Sequence, residues 1–224
     1  MKFWWKIWFA VVVAGDLLGR WLMSDTLNYL FKPLIVPSLI FYFFRFREKN
    51  AQAPYVAKVL LAALVCSWLG DIFLLFTGET MFMAGLAFFL LAHIFYIFLF
   101  LKTATKPTFL SQKPWWAVPI VAFAAAMFAY LYPYLHDFTI PVGIYCIALG
   151  SMVLAALNRK GCVDGNSFAW VFGGAILFMI SDSILAVNKF AQPLPYAEIL
   201  IMFTYIAAQF SIVQGFLHKK TPAR

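Results

Sequence analysis

Charge is scarce in this chain. Asp, Glu, Lys and Arg make up 12% of 224 residues, where a soluble domain carries about a quarter. Hydrophobic residues fill 64% of positions and the mean hydropathy is +0.87. So little charge cannot cover a water-facing surface, and the composition predicts an integral membrane protein. Cysteine is sparse as well. Cys66 and Cys146 fall in apolar runs and Cys162 in a loop, with no C-x-x-C spacing, which argues for three free thiols over a disulfide or zinc–thiolate framework. Long polar stretches are missing, leaving no room for a soluble domain. There is no G-x-S-x-G elbow and no Ser-His-Asp spacing, so an acyl-enzyme mechanism has no specific support. The net charge of +8 raises the question of nucleic acid. The basic residues, however, lie in short loops between apolar runs, a pattern of membrane topology and not of a nucleic-acid patch.

What the chain has in abundance is apolar sequence in lengths that fit a membrane. A helix needs about 20 residues to cross the ~30 Å hydrocarbon core. Eight runs qualify, at 3–23, 30–46, 55–76, 81–101, 115–134, 138–157, 167–187 and 196–217. Turn chemistry separates them, as at Ser24-Asp25, Glu48-Lys49-Asn50, Thr77-Gly78-Glu79, Lys113-Pro114, His136-Asp137 and Pro193-Leu194-Pro195. The expected fold is an all-α integral membrane protein, a bundle of eight transmembrane helices forming one domain over 1–224. Lys2 and Lys6 before an apolar run resemble a signal peptide, but Asp16 and Arg20 interrupt its core, so the first helix is expected to be retained. With the N-terminus placed in the cytoplasm, 14 of the 17 basic residues become cytoplasmic, leaving Arg20, Lys32 and Lys189 outside. That bias predicts cytoplasmic termini, in the cytoplasmic (inner) membrane of a bacterium.

Against this background the embedded polar residues stand out. Asp71 in Ser67-Trp68-Leu69-Gly70-Asp71, Asp182 in Ser181-Asp182-Ser183 and Asp16 after Gly15 each place a carboxylate in an apolar run. A charge at the bilayer centre costs roughly 2.5–3.5 kcal/mol on insertion scales, so such residues mark function by default. On the expected topology the three helices all run outward, with each aspartate about 8–10 Å below the outer boundary at 1.5 Å per residue. A shared depth favours a common site for Asp71 and Asp182, against a purely structural use as helix-packing groups. Ser67, Ser181 and Ser183 flank the aspartates and are expected to hydrogen-bond to them. Asp16 has Arg20 one turn away, so a local ion pair explains it as well as function does. His93, near the middle of its run with Tyr96 almost a turn further, reads either as a core histidine or as a functional one. Lys32-Pro33 is expected to open a helix, with the Lys either snorkelling to the interface or meeting a lipid phosphate. Lys32 and Glu198 thus mark the mouth of a polar funnel whose floor is His93 and Gln209. His136 falls in a loop and His218 at the cytoplasmic end. One embedded histidine is too few for a multi-histidine zinc site, and no metal is expected.

These stretches have a family likeness. Lys32-Pro33, Ser67-x-x-Gly70-Asp71-x-x-Leu74 and Gly85-x-x-Phe88-x-x-x-x-His93-x-x-Tyr96 resemble the YhhN-like family, as do Gly174-Ala175-x-x-Phe178-x-x-Ser181-Asp182 and Tyr205-x-x-Ala208-Gln209. The likeness runs in order along nearly the whole chain. It implies eight helices and a lysoplasmalogenase activity: hydrolysis of the vinyl ether bond of a lysoplasmalogen to a fatty aldehyde and glycerophosphoethanolamine or glycerophosphocholine. Such a reaction begins with protonation of the alkene carbon, gives an oxocarbenium-like species and ends with attack by water. It needs one carboxyl that keeps a proton and one carboxylate that stabilises positive charge and activates water. Asp71 and Asp182 fit these two catalytic roles in either order, with His93 orienting one of them or relaying protons. Lys32, Tyr96, Ser181, Tyr205, Gln209 and Asp16 are expected to contact the substrate. No cofactor is required, and the expected partners are a lysophospholipid substrate and membrane lipid, with no nucleic acid. A rival reading is a small-molecule or proton-coupled transporter using the same carboxylates, although paired broken helices would favour it and most Gly and Pro fall at run ends. A third, weaker one is a metal-dependent lipid hydrolase using Asp71, Asp182 and His93.

Overall fold

The computed structural model describes residues 2–47, 53–105 and 107–217, which form helices and turns with no strand. Each of the eight apolar runs is one long helix: α1 (Lys2–Trp21), α2 (Asp25–Phe46), α3 (Pro54–Phe73), α4 (Glu79–Thr103), α5 (Val118–Leu135), α6 (Thr139–Leu157), α7 (Gly165–Ala186) and α8 (Ala197–Leu217). A single helical turn at Phe109–Gln112 and a 3₁₀ turn at Pro114–Ala117 fill the connection before α5. Among the described residues, six stretches are long and apolar enough to cross a membrane. One of these, Pro114–Leu157, has 44 residues and holds both α5 and α6, because His136 at φ 44° interrupts the helical path between them. α1 is not among the six; its 20 residues include Lys6, Asp16 and Arg20. Lys49, Lys106, His218, Lys219, Lys220, Arg224 and the expected break at Glu48-Lys49-Asn50 lie outside the described residues.

The chain divides into two compact units, Met1–Ala92 and His93–Arg224, with α4 running across the boundary. In the first unit, α1 and α2 form a hairpin turned at Met23, whose φ is 51°. Helices in lipid gain little from apolar contact itself and associate where small residues let backbones approach. Gly15 and Gly19 supply that: a Cβ on Gly15 would meet the Phe31 ring at 2.6 Å, and one on Gly19 would meet Leu27 at 2.8 Å. Further along the pair, the indoles of Trp5 and Trp8 donate to the carbonyl and hydroxyl of Ser38, and Trp5 stacks on Tyr42 with ring centroids 3.9 Å apart. Gly70 of α3 receives Phe89 of α4, and Gly85 of α4 receives Leu74.

α2 departs from the expectation in an informative way. It begins at Asp25, with Ser24 extended before it, so Lys32-Pro33 lies two turns inside the helix and does not open it. The polar start Asp25-Thr26-Leu27-Asn28 reads as loop by composition, yet Asp25 suits the first turn, where a carboxylate meets unpaired N–H groups. Pro33 and Pro37 are therefore both interior. Pro37 has no N–H, so the carbonyl of Pro33, four residues back, loses its usual donor. The Trp68 indole of α3 takes that place at 2.9 Å. A helix defect thus becomes an α2–α3 tether.

In the second unit, α7 and α8 pack closely through two glycines. A Cβ on Gly174 would lie 2.8 Å from Ile212 and 2.9 Å from the carbonyl of Ala208; one on Gly215 would lie 2.5 Å from Val171. Asp164 caps α7 by accepting from the backbone N–H groups of Asn166 and Ser167. α7 ends in a wider π turn, Val187–Ala191, before the Pro193-Leu194-Pro195 break. Thr103, Arg159 and Ser167 join the ends of α4, α6 and α7. Arg159 donates through Nε to Thr103 Oγ1 and through Nη2 to Ser167 Oγ, both at 3.0 Å, and lies over the Phe216 ring at 4.7 Å. Burial pulls its guanidinium down from 12.5 to about 10, well above neutrality, so this buried group keeps its charge.

Candidate active site

Each unit carries its own polar group in an apolar setting. In the first, Lys32 of α2 and Asp71 of α3 are both buried and form an ion pair, Nζ to Oδ1 3.8 Å. Lys32 therefore does not snorkel. Asp71 lies two residues before the end of α3, closer to the terminus than the longer expected run placed it. Replacing a buried ion pair by well-packed apolar residues is often neutral or stabilising. Stability alone therefore gives no reason for this pair, which keeps the functional reading open. Asp16, wholly buried, is held by Arg20 through two contacts, Nε to Oδ2 at 3.1 Å and Nη2 to Oδ1 at 3.3 Å. A forked pair across one helical turn is the local arrangement its spacing suggested.

The second unit gathers more. Asp182 of α7 accepts a hydrogen bond from the Tyr145 hydroxyl of α6 at 2.5 Å. The same oxygen, Oδ2, lies 3.5 Å from Nε2 of His93 on α4. His93 is fully buried and makes no aligned hydrogen bond among the described residues; its ring is held edge-on by Tyr145 and Phe178 at 5.1 and 4.8 Å. On the other side of Phe178, which also meets Tyr96 and Tyr205 edge-on, runs a second chain. The Tyr96 hydroxyl donates to Gln209 Oε1 at 2.5 Å, and Gln209 Nε2 donates to the Tyr205 hydroxyl at 3.3 Å. The resulting core is a carboxylate, an imidazole and a phenol in contact, backed by an amide linking two further phenols. Such a set can hold, deliver and return a proton. Among the described residues no group of three or more His, Cys, Asp or Glu could hold a metal.

Two details differ from the sequence reading. The flanking serines do not bond the aspartates. Ser181 donates to the carbonyl of Ile201 on α8 at 2.9 Å, Ser183 turns back onto Met179 at 2.7 Å, and the Ser67 hydroxyl has no hydrogen-bond partner among the described residues. The reason is helical geometry: adjacent side chains diverge, while a hydroxyl reaches the carbonyl one turn back or a neighbouring helix. The second difference is Tyr145. It was missed because a tyrosine in an aromatic-rich apolar run reads as packing, and only the contact with Asp182 shows what its hydroxyl does. The pattern that would have flagged it is a lone phenol within the first two turns of the 138–157 run, the end that faces the aspartate of an antiparallel neighbour.

The model of the YhhN family matches residues 27–216. The chain is 34% identical over 168 residues to lysoplasmalogenase TMEM86B of Homo sapiens, covering 74% of this chain and 66% of that protein. It is 34% identical over 192 residues to lysoplasmalogenase TMEM86B of Sus scrofa, covering 84% and 76%. A lysoplasmalogenase of Mycobacterium tuberculosis (strain CDC 1551 / Oshkosh) is 31% identical over 160 residues, covering 70% and 59%. The chain thus spans just under two thirds of the length of the human protein. No solved structure matches it.

Proposed function

The chain belongs to the YhhN family, and from that premise we propose that it is a membrane lysoplasmalogenase, hydrolysing the vinyl ether bond of a lysophospholipid. The observation that carries the reading is the buried contact of Asp182 with both the Tyr145 hydroxyl and the His93 ring. In the reaction a proton passes from Asp182 to the alkene carbon next to the ether-bearing carbon. The ether-bearing carbon becomes an oxocarbenium centre, and water adds to it with loss of a proton. The hemiacetal so formed breaks its bond to the glycerol oxygen, which takes up a proton, releasing a fatty aldehyde and the glycerophospho-base. Tyr145 orients the Asp182 carboxyl by its hydrogen bond, and His93 relays protons to and from it. Asp71 takes the second carboxylate role on residue type alone, as an embedded acid paired with Lys32, and Lys32 contacts the lipid phosphate. Tyr96, Gln209, Tyr205, Ser181 and Asp16 support substrate binding. No cofactor takes part.

The same reading holds the chain to be one transmembrane domain of eight crossings. α1 and the two halves of the Pro114–Leu157 stretch add to the other apolar helices, and both termini are cytoplasmic, in the inner membrane of a bacterium. The basic-residue bias supports that orientation. The direct test of the activity is product analysis with purified protein in detergent, given alkenyl, acyl and alkyl lysophospholipids of one head group. Fatty aldehyde from the alkenyl lipid alone is expected. Release of fatty acid from the acyl lipid, or no aldehyde at all, overturns the proposal; activity in detergent also separates an enzyme from a transporter, which needs two compartments.

A further inference from the structure

A groove runs between α5 and α6, lined among others by Ala124, Phe128, Gly143, Cys146, Gly150 and Leu154, with a volume of about 570 Å³. That is within the ~300–1,000 Å³ range of small-molecule sites. Its walls are almost wholly apolar, and two glycines of α6 line it, where added Cβ atoms would lie 3.3 Å from Phe128 and 3.5 Å from Ala124. An apolar groove in a membrane protein can hold any lipid tail. What singles this one out is its position beside the acid. Tyr145 and Cys146 are consecutive on α6, so their side chains point about 100° apart. Tyr145 bonds Asp182 on one side while Cys146 lines the groove on the other. From Cys146 the groove continues past Gly150 to Leu154, roughly 12 Å of α6 at 1.5 Å per residue.

We propose that this groove seats the hydrocarbon tail of the alkenyl chain, with its first carbons at Cys146 beside Asp182 and its end toward Leu154. The inference rests on the hydrolase reading above and adds to it the tail-binding subsite. The chemistry demands such a path, since the carbon that accepts the proton is the second of the chain and every later carbon must lead away from the acid. A lysoplasmalogen has one tail to place, and the groove offers one apolar path along α6.

The test uses the full chain in lipid nanodiscs, with Cys66→Ala and Cys162→Ala so that Cys146 is the remaining thiol. Alkylation of Cys146 by N-ethylmaleimide is followed by mass spectrometry, with saturated 1-O-alkyl lysophospholipids as non-hydrolysable probes. Protection should grow from short chains (about four carbons) to longer ones (about ten) that fill the groove, because each buried methylene adds to binding. In parallel, kcat/KM is measured for alkenyl lysophospholipids of both lengths. Gly150→Leu narrows the groove and should shift the long-to-short preference by about tenfold toward short chains. Phe128→Ala widens it and should shift the preference the other way, so a loss of folding in one variant leaves the other informative. Equal protection by both lengths, or by nanodisc lipid alone, together with an unchanged chain preference overturns the groove while aldehyde formation leaves the hydrolase standing. Chain-dependent protection without any aldehyde keeps the groove and removes the hydrolase.

Discussion

At Asp182 the change to Asn keeps the size of the side chain and removes the group that can give up a proton. Turnover of an alkenyl lysophospholipid should fall by about 10²-fold or more, the usual scale of general acid–base catalysis. Tyr145→Phe deletes only the hydroxyl that orients Asp182. Losing a hydrogen bond to the protonated acid costs roughly 0.5–1.5 kcal/mol, so kcat should drop about two- to tenfold with the bundle still folded; unchanged kcat would make Tyr145 a packing residue. Asp71→Asn is expected to cost a similar factor to Asp182→Asn, and the double variant little more than the worse single one, because groups acting in one reaction are not additive. Lys32→Ala should raise KM more than it lowers kcat, since a phosphate is bound alike in ground and transition states. An unchanged KM would instead limit Lys32 to pairing with Asp71. The acids themselves were legible in the sequence, because a carboxylate in hydrocarbon is costly wherever it occurs. What they touch was not. Asp182 meets a phenol from 37 residues away and Lys32 meets Asp71 across two helices, contacts that no local spacing encodes, while the serines next to the aspartates turned elsewhere.

On the scale of single helices, two neighbouring glycines of α7 make opposite predictions. A Cβ at Gly174 would press on Ile212 and the carbonyl of Ala208 in α8, whereas one at Gly173 would meet nothing within 4 Å. Gly174→Ala should therefore destabilise by roughly 1–3 kcal/mol, as overpacking does. Gly173→Ala should be neutral or stabilise by up to about 1 kcal/mol, since alanine is the better helix former. Thermal unfolding of both variants in the same detergent checks the pair, and equal losses would mean that α7 and α8 are not held by close approach. The eight helices themselves were readable because a run of about 20 apolar residues has few alternatives in lipid. Their ends were less so. α2 starts five residues before the expected 30–46 run, as Asp25 and Asn28 look like loop, and its two internal prolines look like helix ends. The missing information is tertiary: Trp68 satisfies the carbonyl that Pro37 leaves open.

For the molecule as a whole, length and charge decide the path through the membrane. Pro114–Leu157 has 44 residues, roughly 65 Å as one helix at 1.5 Å per residue and so about twice a ~30 Å core. The break at His136 divides it into two helices of crossing length. α4, with 25 residues, is long enough for one crossing with some tilt. Eight crossings with a cytoplasmic N-terminus put Lys113 in the cytoplasm and Thr77 outside, on either end of α4. The charges agree, since the connection after α4 is basic and Thr77-Gly78-Glu79 carries no Lys or Arg. With Cys66, Cys146 and Cys162 each changed to Ala, Thr77→Cys should react with an impermeant maleimide added to intact cells. Lys113→Cys should react only after the membrane is opened, and a tag after Arg224 should be accessible only then. Labelling of both cysteines from outside would remove α4 as a crossing, and a tag accessible in intact cells would place the C-terminus outside against the bias of 14 basic residues in 17. Labelling of Lys113→Cys alone from outside would invert the whole chain, putting the surplus of positive charge on the face where membrane proteins carry least of it.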